Sequence, residues 1–183
     1  MVHNGIIENH QALRTELEAR GYPFTSDTDT EVIAHLIMDT CRQGLDLPEA
    51  VRRVGHRLQG AYALGVVRRD DPDRLVAVRQ GSPLIIGLGI GEHFIASDIQ
   101  AMLPVTQRFI HLENGDIAEL TRDEVRILDA DAHAVTRPVS ESALTAAAAD
   151  RGRFRHFMLK EIHEQPRAVA ETLEGRLTED GVP

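Results

Sequence analysis

The periodicity of apolar residues changes once along this chain, near Gly60, and this change constrains the fold more than any other feature. Before Gly60, apolar residues recur at the three- and four-residue spacing of amphipathic helices. After it, short apolar runs alternate with turn signals such as Asp-Pro, Gly-Ser-Pro and Gly-x-Gly, a pattern typical of strands. Helices combined with many short antiparallel strands predict a layered α+β fold.

Three helices are predicted before the change. The first covers residues 9–20 and ends at Gly21. The second begins at a capping box, in which Thr28 is the N-cap and Glu31 follows three positions later, and it ends near Gly44. The third covers residues 47–58 and carries a proline in its first turn.

The strands predicted after the change are short. Asn114-Gly115 is the dipeptide of a tight hairpin turn and predicts a hairpin between the strands on either side of it. A short helix is predicted over residues 98–103, before Pro104. The predicted strands cover residues 62–67, 75–79, 84–87, 93–97, 108–112, 116–120, 125–128 and 134–136.

The composition changes again near residue 140. Residues 140–153 are rich in Ala, Ser and Asp with almost no apolar face, which predicts a linker or a weak helix. A helical pattern resumes over residues 154–176, with a break predicted at Gln165-Pro166, where a second helix can begin. We therefore divide the chain into a main domain over residues 1–139, a linker over 140–153 and a helical segment over 154–183.

Composition excludes several classes of protein. The 183 residues are 42% hydrophobic and 27% charged, as in ordinary globular proteins. A net charge of −9 argues against nucleic-acid binding, which needs clustered positive charge. Cys41 is the single cysteine and fits a reducing compartment, and the longest apolar run is too short to span a membrane. We expect a cytoplasmic protein without a nucleic-acid or membrane partner.

Two local patterns predict a binding or catalytic site. Asn4-Gly5 offers a side-chain amide and a backbone N–H, and two such donors can stabilise the oxyanion of an acyl-transfer intermediate. Asp29, at the start of a capped helix, can face a ligand as a fixed acid. From local sequence alone, Asn4-Gly5 is more often a turn, and Asp29 more often stabilises the helix dipole.

Other features predict no chemistry. Cys41 lies late in a helix without a recognisable base, so we expect an inert thiol. The glycines of residues 87–91 lead into a strand and not into a helix, which favours a hairpin over a nucleotide loop. The nine histidines show no paired ligand spacing, so we expect no metal site.

Seven motifs follow one another along the whole chain. They are Val-His-Asn-Gly-Ile-Ile-Glu-Asn (2–9), Ser-Asp-Thr-Asp-Thr-Glu-Val-Ile (26–33), Gly-Ala-Tyr (60–62), Gly-Ser-Pro-Leu (81–84), Phe-Ile-Ala-Ser-Asp (94–98), Leu-Glu-Asn-Gly-Asp (112–116) and His-Phe-Met-Leu-Lys-Glu-Ile-His-Glu-Gln-Pro (156–166). In this order they resemble the glutamine–fructose-6-phosphate aminotransferase (glucosamine-6-phosphate synthase) family. The Asn-Gly and Thr-Asp motifs fit any class II glutamine amidotransferase, whereas the segment ending in Glu164-Gln165-Pro166 favours this family over the phosphoribosyl-type enzymes.

The resemblance implies an N-terminal-nucleophile hydrolase-like fold, an αββα sandwich with two antiparallel sheets between helical layers. Family members begin with a nucleophilic cysteine, so the resemblance also implies that the segment carrying it precedes Met1. On this interpretation the chain is a fragment. It comprises the later part of a glutaminase domain, the linker and the first helices of a sugar-isomerase domain, and it lacks glutaminase activity and is poorly soluble by itself.

The resemblance further implies the chemistry of the parent enzyme. The amide nitrogen of L-glutamine is transferred to fructose 6-phosphate, giving glucosamine 6-phosphate and glutamate, without a cofactor or metal and in a homodimer. Asn4 and Gly5 match the oxyanion hole, and Asp29 matches the carboxylate that pairs with the α-ammonium group of glutamine. Two alternatives remain open: another class II amidotransferase, and a non-catalytic module that binds glutamine.

Overall fold

A computed structural model describes residues 1–142 and 152–173. The chain divides into two compact units, Met1–Thr145 and Ala146–Pro183, which we describe separately. The sequence-based predictions for residues 143–151 and 174–176 lie outside the described residues. The helices are α1 (His10–Ala19), α2 (Asp29–Arg42), α3 (Leu47–Gly55) and α4 (Phe157–Leu173), and the strands are β1 (Val2–Ile7), β2 (Gly60–Arg68), β3 (Asp71–Gln80), β4 (Ile85–Leu88), β5 (His93–Ala96), β6 (Arg108–His111), β7 (Ile117–Leu120), β8 (Val125–Leu128), β9 (Ala134–Val135) and β10 (Val139–Glu141).

The three predicted helices of the first unit are present, and two have side-chain caps. Thr28 caps α2 as predicted, since its hydroxyl accepts a hydrogen bond from the Glu31 N–H at 3.3 Å. Asp46 caps α3 in the same way through the Glu49 N–H at 3.2 Å. The predicted helix before Pro104 is reduced to a single 3-10 turn, Ile99–Ala101.

The strands form two antiparallel sheets. The larger sheet has the order β1-β2-β3-β7-β8-β9, and the smaller has the order β10-β6-β4-β5. In the larger sheet β1 is an edge strand, and its register with β2 places Asn4 opposite Ala63 and Gly5 opposite Tyr62. β4 and β5 form the hairpin predicted for the glycine-rich segment, closed by the Gly89 N–H donating to the Glu92 carbonyl at 3.0 Å.

Alternation of side chains along the strands produces two apolar cores, one on each face of the larger sheet. The first lies between this sheet and α1–α3, and it includes Leu17, Ile33, Val54, Leu64 and Val76. The second lies between the two sheets, where smaller residues of the larger sheet meet larger ones of the smaller sheet; its buried members are Ala63, Ala77, Leu84, Ile86, Ile110, Leu112, Ala118, Leu120 and Ile127. The first unit is therefore layered helix–sheet–sheet.

The predicted hairpin at Asn114-Gly115 is wrong. β6 and β7 do flank this turn, but β6 pairs with β4 and β10 while β7 pairs with β3 and β8, so the turn crosses from one sheet to the other. Gly115 has the positive φ of 86° that the dipeptide predicts. The dipeptide determines the turn, whereas strand pairing depends on the non-local choice between two sheets.

Two predictions for the end of the chain differ from the structure. Residues 139–141 form β10, paired with β6, so regular structure extends into the predicted linker. The helical pattern does not break at Pro166, because α4 is continuous from Phe157 to Leu173 with this proline inside it. An internal proline removes one backbone hydrogen bond and kinks a helix, but it does not have to end one. Among the described residues no helix is long and apolar enough to cross a membrane.

One buried ion pair joins the crossing turn to the segment between β9 and β10. Asp116 has no exposed surface, and its carboxylate accepts two hydrogen bonds from Arg137, at 2.7 and 2.9 Å. The same carboxylate accepts the Glu113 N–H at 2.7 Å. A buried carboxylate needs such partners, because removing it from water is costly.

Replacing Arg137 with alanine should lower the free energy of unfolding by about 3–5 kcal/mol, because Asp116 would remain buried without its cation. Urea denaturation followed by circular dichroism measures this change. Arg126 forms an ion pair with Glu124 in which both side chains are more than half exposed, so Arg126→Ala should lower the stability far less than Arg137→Ala. Equal losses of stability in the two variants would contradict the conclusion that the Asp116–Arg137 pair matters because Asp116 is buried.

Candidate active site

Gly5 lies at a close approach between β1 and β2. Its φ is +132°, a conformation that only glycine adopts readily. A Cβ at this position would lie 2.1 Å from the Ala61 carbonyl oxygen and 2.7 Å from the Tyr62 Cα. Both backbone conformation and space therefore require glycine here, and Asn4-Gly5 is part of a strand and not the local turn that its sequence also allowed.

Asp29 is the first residue of α2, and its carboxylate reaches the edge strand. The Ile7 N–H donates to Asp29 Oδ2 at 2.9 Å. The Asp29 side chain remains 20% exposed, so it is accessible from solvent. The structure thus places the predicted acid beside β1, two residues from Gly5.

The Gly5 N–H and Asp29 share one edge of the sheet. In an antiparallel pair the N–H groups point alternately toward the partner strand and away from it. The Ile7 N–H points away from β2 toward Asp29, while the Glu8 N–H points back to the Gln59 carbonyl. The Gly5 N–H, two residues before Ile7, therefore points to the same open edge, about 7 Å from the Ile7 N–H. A carboxylate and a free donor at this spacing can bind a cationic group and a polar oxygen of one ligand.

Asn4 lies on the opposite face of β1 from α2. The side chain of His3 contacts α2, and successive side chains of a strand point to opposite faces. Asn4 is exposed, and the described residues supply no hydrogen-bond partner for its side-chain amide. Both predicted donors are thus accessible, but Asn4 approaches the edge from the other face of the strand than Asp29.

Two further polar residues adjoin Asp29, and the sequence analysis assigned neither of them a role. His3 Nδ1 lies 3.0 Å from the Thr30 hydroxyl and 3.6 Å from Asp29 Oδ1. The His3 side chain is only 3% exposed. The signal that could have identified His3 is the period of two in β1, which places it on the same face as buried Ile7.

The loop before α2 is held by Glu31. Its carboxylate accepts the backbone N–H groups of Thr25 and Ser26, at 2.8 and 2.7 Å, and both of their hydroxyls. The predicted capping box pairs Glu31 with the N-cap residue Thr28. The Glu31 carboxylate instead reaches beyond Thr28 to Thr25 and Ser26. The Ser26 hydroxyl, with the other three donors, lowers the pKa of Glu31 to about 2.

Cys41 and a small acidic cluster contribute nothing to this site. Burial raises the pKa of the Cys41 thiol, which lies in an apolar groove of 660 Å³ between α2 and β2. Asp129, Asp131 and His133 bring their ligand atoms within 4.8 Å of one another. Their proximity follows from a turn, because the Asp129 carboxylate accepts the backbone N–H groups of the other two.

Comparison with known proteins identifies the class of this fold. Residues 1–104 match the family described as the glutamine amidotransferase domain. The chain belongs to this family. It resembles the solved B. subtilis glutamine phosphoribosylpyrophosphate amidotransferase, complexed with ADP and GMP, with a TM-score of 0.61 and 27% identity over 70% of this chain and 28% of that one. The predicted N-terminal-nucleophile hydrolase-like α+β fold with antiparallel sheets is confirmed.

Curated relatives are more similar still. The glutamine–fructose-6-phosphate aminotransferases (isomerizing) of Vibrio cholerae and Pseudomonas putida are each 57% identical over 182 residues, and that of Aliivibrio fischeri is 53% identical. These matches cover 100% of this chain and 30% of each relative. The chain therefore spans about a third of the length of these relatives, and the family resemblance found in the sequence is confirmed.

Replacing Gly5 with alanine should lower the free energy of unfolding by about 3 kcal/mol or more, because backbone strain adds to the overlap with Ala61. Gly21 is the matched control: its φ is +83°, but a Cβ there would meet nothing within 4 Å. Gly21→Ala should therefore cost only about 1–2 kcal/mol. Urea denaturation checks both values, and a smaller loss for Gly5→Ala than for Gly21→Ala would contradict the close approach.

The Glu31 carboxylate should make the stability of α2 depend on pH. Its pKa is about 2 in the folded protein against an ordinary value of 4.5, so its stabilisation is complete above pH 4.5 and is lost as the pH falls toward 2. We expect Glu31→Gln to lower the melting temperature at pH 7, and the difference from wild type to shrink at pH 3. Thermal unfolding at both pH values tests this, and a difference that does not change with pH would contradict it.

Proposed function

We propose that the chain binds L-glutamine at the open edge of β1, with Asp29 receiving the α-ammonium group and Asn4 and Gly5 donating to the oxygen of the side-chain amide. The observation that supports this most strongly is the common edge shared by Asp29 Oδ2, bonded to the Ile7 N–H at 2.9 Å, and the Gly5 N–H. The choice of glutamine as the ligand rests on membership of the glutamine amidotransferase domain family.

The spacing along β1 suits glutamine. From the α-nitrogen to the δ-carbon an extended glutamine measures about 5 Å. The Gly5 N–H and the Ile7 N–H, to which Asp29 is bonded, are about 7 Å apart along the edge. This distance leaves room for a hydrogen bond at each end of the glutamine. Gly5 and Asn4 would then act in the acyl-transfer step, when the amide oxygen becomes an oxyanion, and each donor would be worth about 10²–10³ in rate.

The full reaction that we propose is the glutamine–fructose-6-phosphate aminotransferase reaction after which the relatives are named. An enzyme containing this chain would move the amide nitrogen of glutamine to fructose 6-phosphate, and identities of 53–57% across the whole chain support this. The thiolate that attacks glutamine is not Cys41, whose pKa is raised by burial. We assign residues 1–139 to the glutaminase domain and 154–183 to the first helices of a sugar-isomerase domain. The single cysteine is consistent with a reducing, cytoplasmic compartment. From the family resemblance we further propose that the complete enzyme is a homodimer joined through its isomerase domain.

Two other functions remain candidates. Another class II amidotransferase, such as the phosphoribosyl type, would share the site, but the identity to that solved enzyme is only 27%. A module that binds glutamine without catalysis would keep the same residues. Release of glutamate would exclude the non-catalytic module. The acceptor that the complete enzyme uses would distinguish the proposed reaction from that of another class II amidotransferase.

Binding should depend on the charge of Asp29. We expect Asp29→Asn to weaken binding of L-glutamine about 10–100-fold, because the hydrogen bond to a charged ammonium is replaced by a neutral one while the side-chain oxygen can still accept the Ile7 N–H. Isothermal titration calorimetry with the 183-residue chain measures this. Asp27, with a fully exposed side chain, provides the control Asp27→Asn, which should bind like wild type.

Wild-type chain that binds no glutamine would overturn the proposed site. Equal weakening in the two variants would show that Asp29 acts only through overall charge. A melting temperature measured for each variant separates loss of binding from loss of folding. Glutamate release by the chain, if it persisted in Cys41→Ala, would reveal a nucleophile other than a cysteine.

A further inference from the structure

The polar contacts around Asp29 include one buried side chain that the proposed function does not use. His3 is 3% exposed, it projects from β1 toward α2, and its Nε2 has no hydrogen-bond partner in the described structure. Its other ring nitrogen, Nδ1, lies 3.0 Å from the Thr30 hydroxyl. A buried imidazole with one satisfied nitrogen next to a ligand-binding carboxylate needs an explanation.

The contacts favour a proton on Nδ1 over one on Nε2. If Nε2 carried it, a buried N–H would be left without an acceptor, and the Nδ1 lone pair would face Asp29 Oδ1 at 3.6 Å. Both arrangements are unfavourable. With the proton on Nδ1, an N–H donates to the Thr30 hydroxyl and only a lone pair is buried, which costs less.

The Thr30 hydroxyl then has a defined orientation. Since its oxygen accepts from His3, its own hydrogen is free to point at Asp29 Oδ1, which lies 3.5 Å away. Each of the two carboxylate oxygens thus has a contact of its own. Oδ2 takes the Ile7 N–H of β1, and Oδ1 faces the hydroxyl and the imidazole.

We propose that His3 is a positioning residue for the glutamine site: its Nδ1–H orients the Thr30 hydroxyl, and this relay fixes the Asp29 carboxylate for the α-ammonium group. The proposal rests on the proposed function, since it assigns His3 a part in glutamine binding. His3 does not touch the ligand in this scheme. It acts through Thr30 and Asp29, both at the start of α2.

A double-mutant cycle tests the relay. In isothermal titrations of L-glutamine into the 183-residue chain, His3→Leu and Thr30→Val should each weaken binding about tenfold, because each breaks the same path. The double variant should also lose about tenfold and not a hundredfold. His3→Asn, which keeps an amide donor near the position of Nδ1, and Thr30→Ser, which keeps the hydroxyl, should bind within about twofold of wild type.

His35 is the matched control. It is a histidine of α2 with a 15% exposed side chain, and its Nε2 also lacks a hydrogen-bond partner in the described structure. Its Nε2 lies 3.6 Å from Glu31 Oε1 and its ring packs on Tyr22 and Phe24, not against Asp29. His35→Leu should leave glutamine affinity unchanged. Additive losses in the cycle, no rescue by His3→Asn, or an equal loss in His35→Leu would overturn the relay.

The tautomer of His3 is measurable without ligand. The ¹⁵N chemical shifts of the imidazole in the wild-type chain should show a proton on Nδ1 and none on Nε2, and the opposite result would overturn the proposal. If the chain binds no glutamine, the proposed function fails and so does the role of His3 in it. The tautomer then still shows whether the His3–Thr30 contact has the predicted direction.

Discussion

The arrangement at the edge of the larger sheet depends on one hydrogen bond, from the Ile7 N–H to Asp29 Oδ2 at 2.9 Å. It joins the start of α2 to β1 across 22 residues of chain. An edge strand exposes N–H groups that need partners, and the start of a helix favours a carboxylate. Because Asp29 meets both requirements at once, the helix and the strand fix each other, and the polar groups near them take their positions from this contact.

Other contacts make this junction stiff. Asn9 donates from its side-chain amide to the Arg57 carbonyl at 2.8 Å and accepts the Gln59 N–H at 3.1 Å, so the end of β1 is tied to the start of β2. Gly5 brings the two strands together where any side chain would collide with Ala61. The proposed site and the scaffold therefore use the same short segment, residues 2–9, in which residues that we propose to bind ligand alternate with residues that hold the strands together.

Much of the fold could be predicted from the sequence, because helix periodicity and turn residues are local signals. The Thr28 cap, the three helices and the β4–β5 hairpin follow from neighbouring residues. Asn114-Gly115 was misassigned because the choice between two sheets is not encoded in the turn. For the site, local sequence indicated Asn4, Gly5 and Asp29 as candidates only. His3 was missed because residues 2–7 were not predicted as a strand, so the period of two that places it on the buried face was not applied. Its contact with Thr30 joins positions 27 residues apart, and no spacing rule connects a strand to the first turn of a later helix.

Asp29 admitted two interpretations in the sequence, a dipole-stabilising residue or a ligand-binding acid, and the structure shows why these are compatible. A carboxylate offers about four lone-pair directions. The Ile7 N–H uses one at 2.9 Å and the Thr30 hydroxyl a second at 3.5 Å, while His3, 3.6 Å from Oδ1, makes no hydrogen bond to the carboxylate. Directions therefore remain for the ammonium group of the ligand that we propose, and the side chain is 20% exposed. A residue that anchors the helix can bind a cation as well, provided that its scaffold contacts leave one side of the carboxylate open.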